Sequence, residues 1–329
     1  MRISILGCGN WGSVFSIIQC QNGHQVKIWE FDRERSECVQ ATRDNHPYLT
    51  GYPLPPGIAV HWDVKKALEE AECVVFAVPS QTLASVVDIV AHVKPGCSCY
   101  LNLVKGIDQQ TLKRPSEIIQ QGLGEHNAVY TLSGPCIANE IVRGEPTAAV
   151  IVGSDEQGAA QLQQALTTET FRIYQGDDVI GVELGGATKN VIALGCGISD
   201  GLGYGTNVKG ALITRGIVEI QRLGVRMGAC AETFWGLSGL GDLVTTSFSS
   251  ESRNHRCGVC IGQGEPLEQI QREMVMVAEG VPTARAIKKL ASRYGIDMPI
   301  CASVYAIVYE KKSPKQAIQE LMSRPLRHE

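Results

Sequence analysis

The tripartite glycine pattern Gly7-Cys8-Gly9-Asn10-Trp11-Gly12 follows directly on the apolar run Ile3-Ser4-Ile5-Leu6 and leads into residues 13–21, whose apolar positions recur at helical spacing. A G-x-G-x-x-G segment between a strand and a helix leaves few folds open. The first glycine permits a tight turn, the second lets the backbone approach a pyrophosphate, and the third lets helix and strand pack closely. The free N–H groups of the helix start then face an anion. Gly7, Gly9 and Gly12 are therefore the first candidate cofactor-binding residues, and the segment is expected to open a doubly wound sheet.

The rest of the first half agrees with that beginning. Further strand-like runs fall at residues 26–31, 73–78, 98–103, 128–132, 147–152 and 171–174, and those separated by helical stretches predict a parallel sheet covered on both faces. Beyond about residue 176 strand signals stop, and residues 181–199, 209–223, 268–277, 283–294 and 300–309 show helical spacing. The expected fold class is α/β: an N-terminal doubly wound Rossmann-type domain, residues 1–180, followed by an all-helical C-terminal domain, residues 181–329. A length of 329 residues suits two domains. With 34 acidic against 30 basic side chains there is no basic excess to draw a nucleic acid. Twelve cysteines spread through so long a chain, several inside apolar runs, read as reduced thiols. Glycines interrupt the N-terminal apolar stretch before it resembles a signal peptide, and no segment reaches ~18 uninterrupted apolar residues. A cytoplasmic protein without a membrane span is expected.

Several residue clusters carry chemistry. Glu30 and Asp32 end the second strand-like run eighteen to twenty residues after Gly12, where an acid commonly binds the ribose hydroxyls of NAD and repels the 2′-phosphate of NADP. Arg33 and Arg35 follow and offer that phosphate an alternative. Lys189 stands in an otherwise apolar or small stretch with Gly185 and Gly186 nearby, so desolvation would lower its pKa and make it a general acid and base for a ketone and its alcohol. The glycines there imply that another backbone or a ligand comes close. Lys105-Gly106, Ser133-Gly134-Pro135 and Asp242 are further candidates. Ser252-Arg253-Asn254 suits a phosphate, because a guanidinium binds two oxygens at once. Cys257-x-x-Cys260 beside His255 is half a zinc site at most, and no metal is expected.

In order and spacing, Gly7–Gly12, Lys105-Gly106, 133–140, 185–191, 239–246, Arg253-Asn254 and Glu279-Gly280 resemble the NAD(P)-dependent glycerol-3-phosphate dehydrogenase family across essentially the whole chain. The resemblance implies that Lys189 is the proton acceptor. It places Asn10, Trp11, Phe31, Ala138, Val277 and Glu279 on the dinucleotide. Lys105, Gly134, Cys136, Asp242, Thr246, Ser252, Arg253 and Asn254 would surround the substrate, with Lys105 and Arg253 reaching the cofactor too. Bacterial members usually carry serine where this chain has Cys136, a weaker hydrogen-bond donor. Phe31 looks more like the NAD-using eukaryotic branch. The implied reaction is hydride exchange between NAD(P)H and dihydroxyacetone phosphate, supplying sn-glycerol 3-phosphate for glycerophospholipid synthesis, with NAD preferred over NADP and a homodimer as the assembly. Two other readings stand beside it: a β-hydroxyacid or ketopantoate-type dehydrogenase, and a non-catalytic NAD sensor.

Overall fold

The alternation of apolar runs and helical stretches resolves into one eight-stranded sheet in the computed structural model, which describes residues 1–153 and 155–326. The strands are β1 (Arg2–Leu6), β2 (Gln25–Trp29), β3 (Ile58–His61), β4 (Cys73–Phe76), β5 (Cys99–Asn102), β6 (Ala128–Ser133), β7 (Thr147–Gly153) and β8 (Phe171–Gln175). Their order is β3-β2-β1-β4-β5-β6-β7-β8, parallel except where β7 runs against β6. Ile3 in β1 lies level with Val26 in β2 and Cys73 in β4, so the chain winds outward in both directions from β1. A crevice therefore opens beyond the C-terminal ends of β1 and β4, where open α/β sheets bind ligands.

Each face of the sheet has its own core. Ile3, Ile5, Phe15, Leu101 and Phe171 pack on one side, and Leu6, Phe76, Val87 and Ile119 on the other. β3 was not foreseen, because its four residues follow Pro55-Pro56-Gly57 and show only Ile58 and Val60 alternating inward. The runs 26–31, 73–78 and 98–103 overstate their strands. Glu30, Phe31, Ala77, Val78 and Leu103 leave the ladder and line the crevice instead.

From Val179 onward the chain is helical, and its axis is the helix Val179–Gly201, buried at every position from Gly181 to Ser199. Among the described residues this is the one helix long and apolar enough to cross a membrane, yet 83% of its most apolar stretch is covered by the rest of the protein. The helix Arg253–Gln263, absent from the helical stretches read in the sequence, packs tightly along it. A Cβ on Gly197 would lie 2.1 Å from the His255 carbonyl oxygen, and one on Gly258 would lie 2.2 Å from that of Leu194. These glycines admit another backbone. Residues 268–277 form a helix only over Leu267–Glu273; Val275 and Val277 then run exposed along the crevice, where a continued helix would have carried them away from it.

A buried carboxylate joins the sheet to the helices. Glu183 accepts from Arg114 Nη1 at 2.7 Å, from the Ser116 N–H at 2.8 Å and hydroxyl at 2.7 Å, and from Thr131 Oγ1 at 3.1 Å. Burial pushes its pKa up, while Arg114 and the hydrogen bonds oppose that shift.

The close crossing predicts a contrast between two glycines in helices. Gly258→Ala must force backbones apart, and should lower unfolding free energy by several kcal/mol, on the order of the larger overpacking penalties. Gly210→Ala meets nothing within 4 Å and should stabilise by up to about 1 kcal/mol. Chemical denaturation of both variants checks the contrast; equal effects would mean that the crossing tolerates a methyl group.

Candidate active site

The glycine segment forms the floor of the crevice. Gly7 has φ +117°, and a Cβ there would lie 2.6 Å from the Ala77 carbonyl oxygen; one on Gly12 would lie 2.1 Å from that of Gly7. Both are demanded by backbone packing, and Gly12 does not itself line the cleft. Gly9 is different, with open space where its Cβ would stand. It precedes the helix Asn10–Gln21, whose first N–H groups receive no side-chain cap. An uncapped helix start beside an open glycine fits a pyrophosphate.

The cleft holds about 830 Å³ and runs from this loop to the helical half. Gly7, Gly9, Asn10, Trp11 and Phe31 line one end, and Phe31 is 79% exposed. Lys105, Cys136, Ala138, Lys189, Asp242 and Thr246 line the middle. Ser252, Arg253, Asn254, Val277 and Glu279 close the far wall. Gly134 sits behind that surface with φ +141°, and its carbonyl receives Lys105 Nζ at 2.7 Å.

Three charges meet at the centre. Asp242 Oδ2 receives Lys105 Nζ at 2.7 Å, and Asp242 Oδ1 lies 3.0 Å from Lys189 Nζ. Lys189 also donates to Thr246 Oγ1 at 2.6 Å, and that hydroxyl donates to Asp242 Oδ1 at 3.1 Å. The three come from the loop after β5, the middle of Val179–Gly201 and the first residue of the helix Asp242–Phe248. Gly185 allows the meeting, since a Cβ there would press on the Ser238 carbonyl oxygen in the turn that delivers Asp242. Burial lowers the Lys189 pKa to about 8, with Asp242 pulling it up and Lys105 pushing it further down. Lys105 is also penalised by burial, but Asp242 outweighs this and its pKa ends above normal. Asp242 feels burial as a rise, overcome by the two ammonium groups, so its carboxyl stays below the usual range.

A second network holds the far wall. Asn190, beside Lys189, accepts from Asn254 Nδ2 at 2.8 Å, and Asn254 Oδ1 accepts the Gly280 N–H at 2.7 Å. Asn190 Nδ2 donates to the Lys105 carbonyl at 3.3 Å. Asn254 is thus fixed while neighbouring Arg253 opens onto the cleft, with no hydrogen bond or ion pair to any described residue. Glu279 reaches back to the sheet domain and accepts from the Ser80 N–H at 2.9 Å and hydroxyl at 2.5 Å. Cys136 stays a thiol, its pKa pushed up to about 11 by burial.

One expectation needs correction. Glu30 and Asp32 do not present free carboxylates: Glu30 is buried against the Arg35 guanidinium and accepts the Asp32 N–H, while Asp32 caps its helix by accepting the Arg35 N–H at 2.9 Å. Arg35 is correspondingly occupied, although it lines the cleft. His255 binds Asp200 at 2.7 Å, and Cys257 is buried in the helix crossing. Sequence reasoning missed Asn190, Ser80, Asn45 and Tyr48. Asn190 adjoined a chosen lysine and was legible as a polar residue on the same buried helix; the others depend on loop conformation.

The two family models that match describe one family. The profile described as NAD-dependent glycerol-3-phosphate dehydrogenase N-terminus matches residues 2–159, and that described as the C-terminus matches residues 178–319. A Thermoanaerobacter protein named glycerol-3-phosphate dehydrogenase, NAD(P)+, is 44% identical over 100% of this chain and 99% of its own. The solved glycerol-3-phosphate dehydrogenase of Coxiella burnetii is 34% identical with a TM-score of 0.95, covering 98% of this chain and 99% of that one. That of Plasmodium falciparum is 26% identical with a TM-score of 0.86, covering 100% and 97%.

The central charges predict how Lys189 titrates. Amine acylation followed by peptide mass spectrometry should show Lys189 becoming reactive near pH 8, below exposed lysines near 10.4. In Asp242→Asn the carboxylate no longer favours the ammonium, so reactivity should appear at lower pH. A shift upward would contradict the assigned balance.

Proposed function

The chain belongs to the NAD-dependent glycerol-3-phosphate dehydrogenase family, and from that premise we propose roles for its residues in interconverting dihydroxyacetone phosphate and sn-glycerol 3-phosphate. It is an oxidoreductase using NAD(P)H, and this activity places it in lipid metabolism. Family membership decides against a hydroxyacid or ketopantoate dehydrogenase and against a non-catalytic sensor.

The observation that carries the assignment is Lys189 Nζ, held in the cleft by Asp242 and Thr246 with its pKa brought to about 8. The nicotinamide cofactor supplies the hydride in reduction and takes it back in oxidation. In reduction Lys189 gives its proton to the forming alkoxide, and its charge stabilises that oxygen beforehand. In oxidation the neutral amine removes the hydroxyl proton. Asp242 orients Lys189, Thr246 fixes its remaining direction, and Lys105 adds a second positive charge beside the reacting oxygen. Arg253, open to the cleft, binds the substrate phosphate, with Ser252 and the braced Asn254 completing that anchor. Gly134 acts through Lys105. Cys136 offers its backbone N–H and a weakly donating thiol.

Gly7, Gly9, Asn10, Trp11 and Phe31 are proposed to hold the adenosine diphosphate part of the cofactor. Ala138, Val277 and Glu279 hold the nicotinamide half, with Lys105 and Arg253 between cofactor and substrate. The open glycine and uncapped helix start support this placement. The domains divide near residue 180, between β8 and the helix Val179–Gly201. A cytoplasmic homodimer completes the proposal. Twelve cysteines without a disulfide suit a reducing compartment, and two-fold assemblies are the commonest among oligomeric enzymes.

Lys189→Ala should retain NADH binding but lose at least ~10²-fold in kcat. In the wild-type enzyme, kcat/KM for reduction should fall as pH rises through about 8, because the ammonium is lost, whereas that for oxidation should rise through the same value. Near-normal turnover by the variant would remove Lys189 from the mechanism.

Arg253→Ala should lower kcat/KM for dihydroxyacetone phosphate by roughly 10- to 150-fold and leave unphosphorylated dihydroxyacetone far less affected. Arg253→Lys should recover only part. An equal loss on both substrates with intact NADH binding would overturn the phosphate assignment.

A further inference from the structure

The occupied state of Arg35 points to a device for choosing the cofactor. Arg35 lies at the adenosine end of the cleft, five residues after Glu30, with its guanidinium 4.2 Å above the Tyr48 ring. Nη1 pairs with the buried Glu30 carboxylate. Nη2 donates to the Cys8 carbonyl of the glycine loop at 2.8 Å and to Asn45 Oδ1. Asn45 in turn donates to the same carbonyl at 3.0 Å and to Ser13 Oγ at 2.6 Å, so the guanidinium is clamped on three sides. Nε remains buried without a partner, as does Oδ1 of Asn10, whose amide donates to the Tyr48 carbonyl. Arg35 is thus the cation nearest to serving a 2′-phosphate, and its charge and both terminal nitrogens are already engaged. Arg33 is directed elsewhere, bonded to Glu37 at 2.8 Å and lying over Trp62.

We propose that Glu30 sets the preference for NAD over NADP indirectly, by holding Arg35 in this clamp and cancelling its charge, rather than by binding the ribose itself. The inference rests on the dinucleotide site assigned above. A 2′-phosphate approaching this end meets a guanidinium whose strongest partner is a fixed carboxylate, and displacing it would leave Glu30 buried and unpaired, a costly state. A ribose hydroxyl carries no charge and needs no such exchange. Removing the Glu30 carboxylate leaves the Arg35 charge unmatched at the cleft surface, ready for a phosphate.

The test uses nucleotide fragments as well as turnover. Quenching of tryptophan fluorescence, with Trp11 and Trp29 lining the cleft, reports binding of 5′-AMP and of adenosine 2′,5′-bisphosphate. The wild-type protein should bind 5′-AMP at least as well as the bisphosphate and should favour NADH in kcat/KM. Glu30→Ala should shift the ratio of the two fragments toward the bisphosphate by about tenfold or more, with the NADPH to NADH ratio of kcat/KM moving alongside. Adding Arg35→Ala should abolish that gain. Glu30→Gln, which keeps the side-chain volume, should shift the ratio in the same direction and serves if thermal melting shows that the alanine variant is unfolded. An unchanged ratio in the Glu30 variants, or a gain that survives loss of Arg35, overturns the inference and leaves the dinucleotide site standing. Failure of the wild-type protein to bind either fragment overturns the site itself.

Discussion

One carboxylate shared by two buried ammonium groups organises the catalytic half of the molecule. Asp242 gives one oxygen to Lys105 and the other to Lys189 and Thr246, and these residues come from separate elements of sheet and helix. Taking such charges out of water is expensive unless each finds a partner. The sheet loop, the long helix and the turn before Asp242 must therefore arrive together. The arrangement leaves one positive charge in excess when both lysines are protonated. Among the described residues no second carboxylate pairs with that excess, and in the proposed mechanism it faces the substrate oxygen that becomes negative.

Close backbone packing makes the meeting possible. Gly185 lets the turn that carries Asp242 rest on the central helix, and Gly197 and Gly258 let Arg253–Gln263 lie against the same helix. A Cβ at these positions would lie 2.9, 2.1 and 2.2 Å from a facing carbonyl oxygen, so side chains there would push the elements apart. The second helix begins with Arg253 and Asn254, so the crossing also determines how far the phosphate anchor stands from Lys189. The Glu183–Arg114 pair fixes the opposite end of the central helix to the sheet domain. Structure and chemistry are thus coupled along one helix, whose buried charges are respectively a joint and an acid.

Much of this was legible in the sequence because it rested on short-range pattern. The glycine segment announced a strand, a turn and a helix start, and Lys189 stood out as the one cation in an apolar, glycine-rich stretch. Other features depended on distant partners. Glu30 and Asp32 read as ribose ligands until Arg35 and the helix cap claimed them, since spacing shows where an acid lies and not what reaches it first. The glycines of Val179–Gly201 suggested either a backbone or a ligand, and only the placement of Arg253–Gln263 decides for the backbone at Gly197. β3 escaped notice because four residues carry too little periodicity, and residues 274–277 kept an apolar pattern while leaving the helix to line the cleft.

The two ends of the cleft handle charge in opposite ways. At the end proposed for adenosine Glu30 and Arg35 cancel, Arg33 is matched by Glu37, and exposed Phe31 offers an apolar surface. At the end proposed for the substrate Lys105 and Lys189 outnumber Asp242, and Arg253 faces the cleft with Glu279 as its neighbouring carboxylate. In a partly desolvated cleft such an imbalance acts more strongly than it would in water. With the roles proposed above, the substrate phosphate is drawn toward Lys189 and away from the end assigned to adenosine. The same distribution explains why lowering the Lys189 pKa does not weaken the site. A neutral Lys189 still leaves Arg253, with Glu279 as its neighbouring carboxylate, for the proposed phosphate contact, while Lys105 keeps Asp242 ionised and able to stabilise the Lys189 ammonium when the proton returns. In the proposed mechanism binding of the phosphate and exchange of the proton are served by different cations, so the reaction can run in either direction with the anchor in place.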